Sequence, residues 1–131
     1  MAQMTTQDIV KNSDTVKESG QDWEKVYATL HTSVKSPDYR IFRTNNTLFW
    51  VHILSPGVGQ VFAFNADPKE KLIPNILEFL KAMKIANYTT LNAVMTNFGL
   101  FKRLQREGYQ VEIEQLPSSS GPAIFKGTIH V

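Results

Sequence analysis

The chain has 131 residues, 42% hydrophobic and 11% aromatic, enough for one domain around one core and too few for two. With no cysteine, a disulfide framework and a thiolate metal site are excluded, and stability has to come from burial. A formal charge of +2, from 14 Lys plus Arg against 12 Asp plus Glu, excludes the dense cationic surface that drives indiscriminate nucleic-acid binding.

Residues 1–7 are polar and Asp8 to Val16 has room for one or two helical turns, so residues 1–20 are expected to be partly flexible within a single 1–131 domain. The start "MAQMTTQDIVKNSD" has no basic stretch ahead of an apolar core. No apolar run approaches the roughly 20 residues that cross a bilayer. Both point to a soluble, cytoplasmic protein without a membrane segment. From Gln21 onward, Trp23, Val26, Tyr27 and Leu30 recur at helical spacing and predict a helix of about three turns.

After Pro37, "DYRIFRTNNTLFWVHIL" reads as a hairpin, with strands at Tyr39–Arg43 and Thr47–Leu54 on either side of Asn45 and Asn46, which tolerate positive φ. "SPGVG" is a turn, and Gln60 to Asn65, "QVFAFN", a third strand. Two starts compete for the helix carrying Ile76, Leu77, Leu80 and Met83. Asp67 and Glu70 have capping-box spacing, with Pro68 at the first helical position. That register places Pro74 well inside the helix, at a cost of ~3 kcal/mol. The expectation is therefore a turn at 67–72 and a helix from about Pro74.

Thr89 to Met95 is a short alternating strand, Phe98 to Glu107 a helix, and Gly108 its stop. Tyr109 to Gln115 alternates apolar and polar residues, as a half-buried strand does. Beyond the linker "LPSSSGP", Ala123 to Val131 makes a last strand with Phe125, Ile129 and Val131 inward. This order argues a mixed α/β, or α+β, layer fold.

Over residues 38–131 the chain resembles the GNAT superfamily of N-acetyltransferases. The element order agrees. So does one spacing, an Asn after the family's fifth strand, then a helix, then Gly and an aromatic, here Asn97, Gly108 and Tyr109. By size and layout the chain looks most like the compact acetyltransferase-like proteins of tailed phages, including those associated with virions. The resemblance implies a mainly antiparallel central sheet flanked by helices. It also implies that the fourth and fifth strands, here "QVFAFN" and "TTLNAVM", splay to admit acetyl-CoA. The helix after the fourth strand would present free N–H groups to the pyrophosphate.

Against that pattern the sequence departs three times. The family's phosphate loop runs Gln or Arg, two residues, Gly, one residue, Gly or Ala; the matching window here is "KEKLIP". Lys69 takes the first position, but Leu72 and Pro74 take the two small ones, the first adding bulk and the second deleting a donor. The family's frequent general acid, a Tyr of the last helix, falls on Leu104, which has no proton to give. "QVFAFN" also lacks a carboxylate base; Asp67 and Glu70 lie just beyond it, at the surface.

The other chemistry-bearing side chains read first as structure. His31, His52 and His130 have no metal-ligand spacing, and no metal is expected; His52, beside Trp50 in a central strand, is the one candidate base. Lys69 and Lys71 are solvated turn residues before they are phosphate ligands. Lys102, Arg103 and Arg106 suit the end of a helix and argue little for nucleic acid. Phe98, Phe101 and Leu104 mark a core face before a pantetheine channel. Gly99 inside the helix costs ~1 kcal/mol and suggests close packing or close approach of a ligand.

The expected function is thus a GNAT-like domain with a degenerate acetyl-CoA site, a non-catalytic binding or structural module with a protein partner. An accessory or virion-associated phage protein is the setting. The alternative is a divergent N-acetyltransferase that holds acetyl-CoA through Lys69, the amides of Ile73 and Asn75, the strand edge at Asn92, and Asn97.

Overall fold

A computed structural model of the chain describes residues 4–95, 98–117 and 123–131. Where the sequence has room for one or two helical turns, the chain forms two short helices, α1 (Thr6–Asn12) and α2 (Asp14–Ser19). A capping box opens α1: Asp8 N–H donates to Thr5 Oγ1 (3.1 Å) and Thr5 N–H to Asp8 Oδ2 (3.4 Å). Three apolar residues spaced among polar ones, Ile9, Val10 and Val16, are all buried. Helix α3 (Trp23–Ser33) follows, capped by Asp22.

Six strands form one sheet in the order β1-β2-β3-β4-β6-β5. They are β1 (Tyr39–Thr44), β2 (Thr47–Ser55), β3 (Val58–Asn65), β4 (Thr90–Met95), β5 (Gln110–Leu116) and β6 (Ile124–His130). Every pairing is antiparallel except β3 with β4. The hairpin falls at Asn45, with φ 53°, and the reversals at Gly57 and Gly108 use φ of 78° and 100°. Strand β3 begins at Val58, two residues ahead of the expected start. The glycine turn hands straight into the ladder, and Gly59 sits where a side chain would press on Val51.

A 3-10 turn (Lys69–Lys71) runs directly into α4 (Leu72–Ile85), so the expected turn at 67–72 followed by a helix from Pro74 is corrected. Pro74 is tolerated because it occupies the third helical position, where its missing N–H had no helical acceptor to lose. The capping box of Asp67 and Glu70 does not form, and Lys71 caps α4 without a side-chain bond. Helix α5 (Phe98–Arg106) connects β4 to β5.

Two cores lie on opposite faces of the sheet. One, under α4 and α5, contains Phe49, Val51, Phe79, Leu91, Phe101 and Ile129 among others. Phe49 and Phe79 stack with ring centroids 4.0 Å apart. Phe101 lies on Gly127, where any Cβ would intrude on its ring. The other, under α1 to α3, gathers Ile9, Val10, Leu30, Leu48 and Phe64, with Trp23, Tyr27 and Trp50 packed against it. The result is the mixed α/β layering expected: a mainly antiparallel sheet with helices on both faces. Among the described residues no helix is long and apolar enough to cross a membrane.

Candidate functional site: the gap between two parallel strands

Strands β3 and β4 are paired from Val58 with Thr90 to Val61 with Ala93, and there the ladder stops, although β3 runs on to Asn65 and β4 to Met95. Three hydrogen bonds fix which way the backbone groups point at this fork. Ile53 N–H donates to the Asp38 carbonyl (2.7 Å), Ala66 N–H to the Asn46 carbonyl (3.0 Å), and Val131 N–H to the Thr89 carbonyl (3.1 Å). Bonded and non-bonded pairs alternate along an antiparallel ladder. The amides and carbonyls of Phe62 and Phe64 therefore serve β2, while those of Val61, Ala63 and Asn65 turn toward β4. By the same alternation Thr90, Asn92 and Val94 turn toward β3. Past Val61 no further pair of β3 with β4 forms among the described residues, where the Ala63 amide and the Val94 carbonyl turn toward each other.

Among the described residues one side chain reaches into this edge: Thr15 Oγ1, on α2, donates to the Ala63 carbonyl at 3.5 Å. Phe62 and Val94, the first residues beyond the last pair, are 42% and 43% exposed, both large apolar side chains at the mouth of the fork. Asn92, expected at a free edge, lies one pair below it. It is registered opposite Gln60, and its Oδ1 accepts from Thr128 Oγ1 (3.1 Å).

The start of α4 stands at the far end of β3. Of the four backbone N–H groups that a helix leaves free at this end, Lys71 gives its own to the Pro68 carbonyl (2.9 Å) and Leu72 to the Lys69 carbonyl. Pro74 has none, so at most Ile73 remains. Asn75 falls on the first full helical turn, where its N–H belongs to the i to i−4 ladder. Its side chain is also committed. At 1% exposure, Asn75 Nδ2 donates to Thr47 Oγ1 (2.9 Å) and Asp67 Oδ2 (2.8 Å), while its Oδ1 accepts from Asn45 Nδ2 (2.7 Å).

The network continues outward. Thr47 Oγ1 donates to Asn65 Oδ1 (2.7 Å), and Asn46 N–H donates to Asp67 Oδ2 (2.9 Å). Arg43 closes the hairpin through the Asn45 carbonyl (2.6 Å) and Asn46 Oδ1 (2.9 Å). Each polar group here answers another, and together they staple the β1-β2 turn to the β3-α4 connection. Asparagines are common in turns, so no sequence signal marks this cluster; only the register of β2 on β3 brings Thr47, Asn65 and Asn75 together.

The remaining candidates are dispersed. Lys69 and Lys71 are exposed in the 3-10 turn. Asn97 lies outside the described residues, as does most of the "LPSSSGP" linker. Leu104 is 2% exposed and packs in the core that also holds Phe101. His52 stacks flat on Tyr39 (4.5 Å, 8°), His31 on Tyr27 (5.9 Å), and His130 Nε2 stands 3.6 Å from Glu112 Oε2. Among the described residues no three His, Cys, Asp or Glu side chains come together as a metal site. Arg103 pairs with Glu107 (3.1 Å), and the Lys102 ammonium sits over the Phe98 ring at 5.2 Å, so these two cations of α5 are engaged locally.

No family model matches the sequence, and no curated protein does. Solved structures do. A chimera of the spermidine N-acetyltransferase SpeG from Vibrio cholerae and hSSAT superposes with a TM-score of 0.66 at 9% identity, over 98% of this chain and 94% of that one. A ribosomal-protein-alanine N-acetyltransferase from Brucella melitensis gives 0.63 at 10% identity, over 99% and 98%. A probable GNAT-family acetyltransferase from Chromobacterium violaceum gives 0.59 at 13% identity, over 84% and 68%. At such identities the likeness speaks for the fold alone. The forked sheet, the two-faced helix cover and these superpositions agree that the chain has the GNAT fold.

Proposed function

We propose that this GNAT-fold domain does not transfer acetyl groups and serves as a binding or structural module for a protein partner. The observation that carries the reading is the start of α4. A diphosphate at a helix N-terminus needs several free N–H groups and room to approach them; here at most one amide remains, Ile73, beside the branched side chain of Leu72. The residues present do not fit the pyrophosphate of acetyl-CoA. Leu104, buried in the core, adds that the position of the family's general acid has no proton to give a leaving thiolate. In this reading the domain is an accessory or virion-associated protein of a tailed phage, the setting that its size and layout resemble.

Isothermal calorimetry with acetyl-CoA and with CoA tests the proposal, together with thermal shift. A ligand that binds only the native state stabilises it by ~2.7 kcal/mol at a hundred times its dissociation constant. The expected result is no saturable heat and no shift at millimolar ligand. Micromolar binding of either compound would overturn the proposal and favour the second reading, a divergent N-acetyltransferase. That reading has one observation in its favour, the retained fork between β3 and β4.

A further inference from the structure

The sheet has two outer strands, β1 and β5. Because Ile53 N–H bonds to the Asp38 carbonyl, the bonded pairs of the first hairpin are Arg40 with Val51, Phe42 with Phe49 and Thr44 with Thr47. The peptide groups of Tyr39, Ile41 and Arg43 therefore point away from β2. Tyr39 N–H reaches the Ser36 carbonyl at 3.4 Å. Among the described residues no strand pairs with the amides of Ile41 and Arg43 or the carbonyls of Tyr39, Ile41 and Arg43.

We infer that this edge pairs with the same edge of a second copy of the chain, antiparallel about a two-fold axis at Ile41, so that two six-stranded sheets become one. The segment "YRIFR", Tyr39 to Arg43, carries the inference because it complements itself read backwards. Centred on Ile41, the pairing sets Tyr39 against Arg43 of the second copy, Arg40 against Phe42, and Ile41 against Ile41. Outward-pointing residues then meet outward-pointing residues, in bonding register: Ile41 with Ile41 in both directions, and Arg43 N–H to the Tyr39 carbonyl twice. Each arginine of the segment faces an aromatic ring.

The side chains are prepared for this. Tyr39 stacks on His52 (4.5 Å, 8°) and Trp50 (5.5 Å, 25°), one strand inward, which leaves its other ring face toward the edge. Arg43 is held by the Asn45 carbonyl and Asn46 Oδ1, bonds in the plane of the guanidinium that leave its flat faces free to stack. Moving the axis to Arg40 would set Arg40 against Arg40, and like charges directly opposite repel. The β5 edge is unsuited for the same reason, since an axis at Ile113 sets Glu112 against Glu114. Its Val111 carbonyl is also taken, by Gln105 Nε2 at 2.8 Å. A two-fold contact closes at two chains. As β1 lies two strands from β3, it does not use the fork, and the inference stands whichever functional reading holds.

Sedimentation equilibrium of the full chain, carried to about 1 mM to capture weak association, should show the mass rising from 14.9 kDa toward twice that value and no further. A mass of 14.9 kDa throughout, or growth past two chains, would overturn the inference. Ile41→Pro deletes an N–H that serves only the contact, at a place where an edge strand tolerates proline, and should loosen the dimer about tenfold. Arg40→Ala, at an exposed position, removes two cation–ring contacts per dimer and should loosen it about fivefold or more. An undiminished dimer in Arg40→Ala, or in Ile41→Pro shown to be folded by circular dichroism, refutes the pairing. With no native cysteine in the chain, mild oxidation reads the register. Ile41→Cys brings the two Cα atoms to about 5.5 Å, within disulfide reach. Arg43→Cys leaves them four residues apart along the strands, roughly 13 Å. Cross-linking of the first variant and not the second is expected; the reverse would overturn the axis at Ile41 and the inference with it.

Discussion

Replacing Asn75 by alanine tests whether the polar cluster at the head of α4 is structural. Three hydrogen bonds disappear: the donations to Thr47 and Asp67 and the acceptance from Asn45. Neutral bonds contribute about 1 kcal/mol each and a bond to a charged group about 1.5–3 kcal/mol, for a gross loss near 4 kcal/mol. Asn45 is exposed and finds water instead. Thr47 keeps its bond to Asn65, and Asp67 Oδ2 keeps the Asn46 amide. Alanine also favours the helix by roughly 0.5 kcal/mol. The net expectation is a loss of about 3 kcal/mol, a large share of the 5–15 kcal/mol typical of a domain. Urea unfolding followed by circular dichroism measures it, with m unchanged. Asn45→Ala sets alanine at φ 53° and leaves the buried Asn75 Oδ1 without its donor, so it too should destabilise, by about 2–3 kcal/mol. Asn75→Asp keeps the shape but sets a second carboxylate against Asp67, so at neutral pH it should cost more than alanine. If Asn75→Ala lies within about 1 kcal/mol of the parent, the cluster is solvated and the argument that Asn75 is unavailable to a ligand collapses.

Three further outcomes follow from the packing. Gly127→Ala forces a methyl into the Phe101 ring and should destabilise by about 1–3 kcal/mol; Phe101→Leu should recover part of that in the double variant, and additive losses in a cycle of unfolding experiments would contradict the contact. Leu104→Tyr, which restores a phenol at the family's acid position, should cost about 1–3 kcal/mol by overpacking a buried site. It should also leave thiol release from acetyl-CoA at the rate of buffer; measurable turnover would show the side chain reaching a cofactor. Replacing both Leu72 and Pro74 by glycine returns an amide and removes the bulk, at roughly 1 kcal/mol per glycine relative to alanine. CoA binding that appears by calorimetry only in this variant supports the account of α4, and binding equal to the parent's refutes it.

Local chemistry carries much of the fold in this sequence. Alternation in Tyr109 to Gln115, helical spacing from Trp23 to Leu30, and glycines at 57 and 108 each answer to rules spanning a few residues. Those elements stand within a residue or two of where they are read, with α4 and β3 each beginning two residues early. The same locality makes Leu72, Pro74 and Leu104 legible as departures, because an absent amide, a side chain without a proton and a branched side chain in a phosphate loop are properties of the residue itself.

Long-range geometry decides the rest. Ile9, Val10 and Val16 look like isolated apolar residues in a polar start until the sheet supplies the surface that buries them. Asn75 reads as a helix-start amide until β2 and β3, in register, place Thr47 and Asp67 around its side chain. Nothing in "QVFAFN" tells whether Ala63 offers its amide to β2 or to the gap. That choice belongs to the parity of pairing across three strands, which is set by where the ladders begin and end, and a chain of letters holds no such coordinate.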